Sequence, residues 1–419
     1  MLEIESHSMI AADRFTAAPA VSPAGHARSF DETEVWVRPL LRRVPITRVV
    51  DVTPLDYLGL PSWVAVTPLA KDLTTHAGKG LTHRAARLSA VMEAIERCCA
   101  EDLPASTEVR RASFEELRES AGDAVLNLED CDLPFRSVYR PDRACSWMMA
   151  FDLIQRQHVW VPVDLVITPG SDGIYPGPHT NGLASGNTYT EAALHALCEV
   201  IERDTVAQYE FCDEVAESDD HDVPQCQMID LDTIPGELQE WRDRITRAGL
   251  RLAIGELINS TAVSTFAAGI LDPAFPSLHG AAERRFAGWG TDLDPRRAVL
   301  RAVTEAVQSR VVTMQGARDT FEGGQSIDRT WTLQRLADFY YPRDLHPFDA
   351  ARSSSSGDLL RDLEEVCERL AGAGFTRCIV ADLTRSDLQV PVVRIIVPGM
   401  SGPATCGERP SWRQLRHLL

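Results

Sequence analysis

The chain has 419 residues and a formal net charge of −19, with 44% hydrophobic and 25% charged residues. That length holds a sizeable core, and the balance is that of a globular chain. The acidity argues against a general nucleic-acid or anionic-membrane surface, since both recruit basic patches, and no apolar run is long enough to predict a transmembrane helix.

Residues 1–33 are rich in Ala, Ser, Pro and His and lack periodicity, so they read as a flexible tail before one unit spanning 34–419, with a core at about 46–400. The run ITRVVDVT (Ile46–Thr53) is β-branched, and SWVAVTPL follows after Leu58-Gly59-Leu60-Pro61, which predicts a hairpin. Gly78-Lys79-Gly80 then presents a lysine between flexible glycines. A helix over roughly Thr82–Asp102 puts Ser89, Glu93 and Glu96 on one face at i, i+4 and i+7, with Arg97 beside Glu93. Ser113-Phe-Glu-Glu116 is a capping box for a short helix. Strands are predicted at Cys145–Leu153 and His158–Ile167, followed by a long, glycine-spaced loop, Pro169–Gly186.

The stretch Asn181–Asp204, NGLASGNTYTEAALHALCEVIERD, organises the rest. A polar loop runs into a helix that Thr188 or Thr190 can cap. Glu191, His195, Glu199 and Glu202 lie on one face of that helix, and Ala192, Leu194, Leu197, Val200 and Ile201 surround them. Carboxylates in apolar surroundings need a partner or a metal, and free N–H groups at a helix start suit phosphate. The stretch is therefore either a Mg²⁺–nucleotide site or a helix with one wet edge.

Beyond it, Glu214–Asp222 is an acidic surface loop, Pro235–Ala248 a helix, and Leu250–Glu256 and Ala262–Leu271 strands. The Phe275–Asp294 loop contains His279, a polar surface residue or a catalytic one. Asp294-Pro295 opens a third helix, to about Met314, with Asp at the N-cap and Pro at N1. On it Arg301, Glu305 and Gln308 share a face, and Arg310 follows. Arg352–Gly357 reads as a linker, Asp358–Ala371 as an amphipathic helix, and Arg377–Leu383 and Val390–Val397 as strands. The elements imply an α/β fold of mixed sheets packed with helices. Ten scattered cysteines form no C-x-x-C pair, which argues against a zinc ribbon or thioredoxin-like motif and fits a reducing cytoplasm.

Three carboxylate-bearing helices in one chain are hard to read as solvated faces. SAVMEAIER, NGLASGNTYTEAALHALCEVIERD and TEAVQSR resemble the nucleotide-site segments of the YcaO family, and GKGLTHRAARLSAVMEAIE and VPVVRIIVPGM extend the likeness over Val49–Met400. VTPLDYLGLPSWVAV, GKGLTHRAARLSAVMEAIE and ALCEVIERD resemble most the branch that works with a TfuA partner in peptide thioamide formation.

The resemblance implies a YcaO-like fold and a site for ATP and Mg²⁺ lined by three glutamate-bearing helices. It implies Glu93, Glu96, Glu199 and Glu202 as metal-facing residues. Lys79, Ser89, Asn187, Glu191, Arg203, Gln308 and Arg310 are the implied nucleotide contacts, and Glu199, Glu202 and Arg203 the catalytic group. Arg97 and Arg203 are each either phosphate contacts or salt-bridge partners of a neighbouring glutamate.

The implied reaction is ATP-dependent activation of a peptide amide: a nucleophile adds to the carbonyl, the oxyanion takes the γ-phosphoryl group, and phosphate leaves. Sulfide gives a thioamide, a Cys or Ser side chain an azoline, and an amine an amidine. The chain ends SWRQLRHLL, without the proline-rich tail of many azoline formers, which predicts the thioamide. A precursor peptide, a TfuA-like protein, a sulfur donor and a second copy of the chain are the expected partners. The alternatives are an azoline-forming cyclodehydratase and a non-catalytic nucleotide-binding scaffold.

Overall fold

The computed structural model describes residues 11–418 except 23, 135, 176–178, 216–225, 274–284, 317–338 and 403–410. His279 and the acidic stretch from 216 onward therefore lie outside the described residues. A short helix, α1 (Phe30–Val37), opens with Ser29 and Glu32 in a capping box. The predicted hairpin is a three-stranded antiparallel sheet, β1 (Arg48–Asp51), β2 (Ser62–Val66) and β3 (Thr75–Lys79). Lys79 is thus the last residue of a strand and not a lysine on a free loop. Gly78 explains the placement: a Cβ there would stand 2.1 Å from the Ala86 carbonyl oxygen, so only glycine lets β3 lie flat on the next helix.

That helix is α2 (His83–Ala100), capped by Thr82 and packed on β2 and β3. Next come β4 (Val109–Ala112) and α3 (Phe114–Ala121), whose Ser113–Glu116 capping box forms as predicted. A second sheet begins with β5 (Cys145–Asp152) and β6 (Gln157–Pro162) and continues with β7 (Leu183–Ser185). The central helix, α4, runs Tyr189–Val215. A third sheet pairs β8 (Cys226–Met228), β9 (Arg251–Leu257), β10 (Ser264–Leu271) and β11 (Arg285–Asp292), with α5 (Gly236–Arg247) between β8 and β9 in sequence.

Helix α6 (Pro295–Gln315) lies on β10 and β11 and is N-capped by Asp294. After it come α7 (Leu359–Gly372), β12 (Ile379–Asp382), β13 (Val392–Ile396) and a last short helix, α8 (Trp412–Leu415). The second sheet has the order β4-β5-β12-β13-β7, with β6 on β5. Arg352–Gly357, read as a linker, is held: Arg352 pairs with Glu256 at 2.8 Å, and Ser355 and Ser356 both donate to Asp362.

Two strands tie the helices together. β3 touches α2 and α6, and β7 touches α2 and α4. The apolar cores under α2, α4 and α6 are separate, so the three helices meet along their polar faces.

Residues 12–33 differ from the predicted flexible tail. Phe15 and Ala18 are buried, Leu359 N donates to Ala18 O, and Thr16 N donates to Thr190 Oγ1. Thr188 therefore caps α4, accepting from Glu191 N at 3.1 Å, while Thr190 holds the N-terminal segment. The segment shows no helical or strand period because it lies along α4 and α7 as a strap, held by isolated hydrogen bonds and by single apolar anchors, Phe15 and Ala18, in the core that those helices share.

Candidate active site

Glu93 and Glu96 come from α2, Glu199 and Glu202 from α4, and Glu305 from α6. Lys79 at the end of β3 makes an ion pair with Glu305, and its own N–H donates to Ser89 Oγ at 3.3 Å. The Ser185 N–H of β7 donates to Glu96 Oε2 at 2.8 Å. On α4, Arg203 stands 4.0 Å from Glu199. Gln308 is half-buried on the same face of α6 as Arg301.

The carboxylates sense one another strongly. Burial pushes Glu96 well above the usual range, and Glu93 and Glu199 add to the shift. Burial likewise raises Glu199 to about 7, with Glu202 and Glu93 raising it and Arg203 opposing. Glu202 is raised by burial and by Glu305. Burial alone would raise Glu305 too, but Lys79 and Arg203 bring it below the usual value. Glu93, Glu199, Glu202 and Glu305 thus share Lys79, Arg203 and Arg301, Glu96 lies against Glu93 and Glu199, and the surplus of carboxylates invites cations. Arg301 Nε is buried without a hydrogen-bond partner, as a donor waiting for an anion would be. These residues fit a divalent ion together with a polyphosphate.

Arg301 and Glu305 were not among the candidates from sequence, although they share a face with Gln308. The signal was available: residues four and seven apart on one helix point the same way. Arg310, expected at the nucleotide, is placed elsewhere. It is fully buried and donates to Asp56 at 3.0 Å and Asp272 at 2.7 Å, with Tyr57 and Phe286 rings about it. Nine residues from Arg301 is two and a half turns, which puts the two arginines on opposite sides of α6. Arg97 makes a salt bridge as one of its two readings had it, but to Asp72 at 2.6 Å and not to a glutamate.

Asn187 and Glu191 form the far end of the α4 face and hold the N-terminal strap. Glu191 accepts from His26 Nδ1 and Ala27 N, both at 2.9 Å, and both of its oxygens accept from Asn187 Nδ2, at 3.0 and 3.1 Å. Asn187 Oδ1 accepts from Thr33 at 2.7 Å. Burial would raise Glu191, yet the His26 hydrogen bond leads the contacts that lower it to about 2. His195 lies beside them, its ring 5.3 Å from His26, and burial lowers it to about 3. Ligand atoms of His26, Glu191 and His195 lie within 4.8 Å of one another. The lone pairs of Glu191 are already taken, and Arg297 and Arg301 face His195, so this trio reads as the anchor of the strap rather than as a cation site.

The family model described as YcaO cyclodehydratase, ATP- and Mg²⁺-binding, matches residues 77–401, which include every carboxylate of this cluster. The chain belongs to the YcaO family. This is a family of ATP-dependent peptide-modifying enzymes, and its cofactors are ATP and Mg²⁺. An uncharacterised protein in the tfuA 3′ region of Rhizobium leguminosarum bv. trifolii is 32% identical over 397 residues, covering 91% of this chain and 88% of that one. An uncharacterised protein of Methanothermobacter thermautotrophicus is 32% identical over 403 residues, covering 91% and 94%. The YcaO structure from Methanopyrus kandleri, bound with AMPPCP and Mg²⁺, superimposes with a TM-score of 0.70 and 28% identity over 92% of this chain and 95% of that one. A heterocyclase in complex with substrate and cofactor reaches 0.74 at 21% identity, covering 92% and 54%, a likeness of fold. Among the described residues, no helix is long and apolar enough to cross a membrane.

For a YcaO site of this kind the cluster predicts a pH dependence. Glu199 titrates at about 7 in the fold against an ordinary 4.5, so the folded chain binds that proton more tightly than the unfolded one. Its contribution to stability is complete below the ordinary value and is lost as pH rises through about 7. In EDTA, Glu199→Gln should therefore flatten the fall in melting temperature over that window, and Mg²⁺ should flatten it in the wild type by taking the proton's place. A wild-type slope that neither change alters would show that Glu199 does not carry it.

Proposed function

We propose that the chain uses ATP and Mg²⁺ to activate a backbone amide of a ribosomally made precursor peptide, and that with a TfuA-like protein and a sulfur donor it forms a thioamide. The observation that carries the thioamide reading is the relative in the tfuA 3′ region, 32% identical over 91% of this chain. The same resemblance lies in the segments around Leu55 and Lys79 and in ALCEVIERD. When bound, ATP supplies the phosphoryl group that makes an amide oxygen a leaving group, and Mg²⁺ neutralises its charge.

The chain's own residues supply position and charge. Glu93, Glu96, Glu199 and Glu202 hold the divalent ions. Lys79, Ser89, Arg203 and Gln308 hold phosphate oxygens, joined by Arg301. Asn187 and Glu191, at the far end of the α4 face, act on the site by keeping the strap closed against α4. Glu199, Glu202 and Arg203 lie nearest the transferring group in this reading. The Lys79–Glu305 pair fixes the lysine so that its ammonium enters the site at a set height.

A partner as the source of sulfur agrees with the thiols. Burial pushes Cys98 to about 11 and Cys99 and Cys145 to about 12, so at neutral pH these three are thiols and poor nucleophiles. The experiment is reconstitution with precursor peptide, TfuA-like protein, sulfide and MgATP, read by intact mass. The expected product is heavier by the difference between sulfur and oxygen. A product lighter by one water would replace the thioamide by an azoline and leave amide activation standing. An unmodified peptide with no ATP consumed would leave the scaffold.

A further inference from the structure

Arg394 lies in the middle of β13, opposite Ala381 of β12 and Leu183 of β7, and is 1% exposed. A buried guanidinium is costly to desolvate and is ordinarily met by a carboxylate. Among the described residues no carboxylate comes within ion-pair distance of it. Its donors go to backbone and to one imidazole: Nε to Val166 O at 3.2 Å, Nη1 to Asn181 O at 2.9 Å and to His179 Nδ1 at 3.3 Å, and Nη2 to His179 O at 3.2 Å. His179 is free to accept there because its Nε2–H donates to Asp164 O at 2.8 Å. Burial lowers His179 to about 3, which keeps the ring neutral and able to accept.

The groups that Arg394 grips are the two ends of one loop. Val166 follows β6, and Asn181 precedes β7. The near end of the loop is organised by Asp164, whose carboxylate accepts from the N–H groups of Ser171, Asp172 and Ile174. The far end is pressed onto β13: Ile395 N donates to Gly182 O at 2.7 Å. Gly182 has φ +72°, and a Cβ there would stand 2.2 Å from Ile395 O. Three residues on, Ser185 turns its N–H away from β13 and toward Glu96, while its hydroxyl donates to Met92 O at 3.4 Å. The path runs from the guanidinium through Asn181 and Gly182 along β7 to the carboxylate.

We infer that Arg394 is a positioning residue of the amide-activating site, holding the loop between β6 and β7 so that the Ser185 N–H fixes Glu96 beside Glu199. The inference rests on the metal-facing reading of Glu96 and Glu199. The buried charge has a second use: Glu199 and Glu96 are the carboxylates that act on the guanidinium, although burial wins and brings it down to about 10. The planar fork matters as much as the charge. It reaches Val166, His179 and Asn181 at once, and the single ammonium of a lysine cannot span them.

The test measures calorimetric binding of ATP to the full chain across a Mg²⁺ titration, with melting curves for every variant. Arg394→Met and Arg394→Lys should each raise the Mg²⁺ needed for half-maximal ATP binding by roughly 10- to 100-fold, as loss of a partner behind a metal ligand does. Ser185→Pro removes the N–H that meets Glu96 and leaves the β7–β13 pairing in place. It should show the same shift, and it carries the test if the Arg394 variants do not fold. Rescue by lysine would overturn the geometric role in favour of charge alone. Variants that fold and keep the wild-type Mg²⁺ requirement would overturn the inference while a Mg²⁺-dependent wild type keeps the metal site. A wild type that binds ATP equally with and without Mg²⁺ would remove both.

Discussion

Glu199→Gln and Glu202→Gln should each abolish ATP turnover while the fold survives; the expected loss is roughly 100-fold or more. Glutamine keeps the length and shape of the side chain and removes the charge that a hard cation requires. The fold should tolerate the change, because the structure already strains to keep these groups ionised. Burial raises Glu199 to about 7 and raises Glu202 as well, so a neutral amide removes a charge that burial disfavours. The melting temperature in EDTA should stay level or rise. The rise that MgATP gives the wild type should vanish, since a ligand stabilises only the protein that binds it. Activity near that of the wild type in either variant would sink the metal assignment. Loss of the folded signal in circular dichroism would recast both glutamates as structural.

Much of this site was legible because helices carry their own ruler. The spacing of Glu93 and Glu96 on α2, of Glu199 and Glu202 on α4, and of Arg301, Glu305 and Gln308 on α6 places each set on one face. The helices so read, from Thr82, Tyr189 and Pro295, begin within a residue of their observed starts. What sequence did not show depends on contacts far apart in the chain. Nothing in GHARSF says that His26 and Ala27 meet Glu191, 165 and 164 positions away. Nothing near Arg394 says that it closes a loop more than 200 residues upstream. β3 was hidden for a local reason: THAGK is poor in β-formers, and its glycine is there for the close approach of α2.

Arg310 shows the same ruler misapplied, and it supports the other large expected effect. Arg310→Met should lower stability by about 3–5 kcal/mol, because it leaves the Asp56 and Asp272 carboxylates buried without their cation. Their side chains are 1% and 5% exposed, so water cannot take the arginine's place. The effect belongs to the fold. Asp56 lies in the loop between β1 and β2, Asp272 follows β10, and Arg310 on α6 joins the first sheet to the third. A combined Asp56→Asn, Asp272→Asn and Arg310→Met variant should recover much of the loss, since it neutralises the two carboxylates together with the guanidinium they share. Chemical denaturation of the four single and combined variants measures both numbers. Calorimetry separates this role from a nucleotide contact: the folded fraction of Arg310→Met should bind MgATP as the wild type does. A variant of wild-type stability with weakened ATP binding would return Arg310 to the nucleotide site.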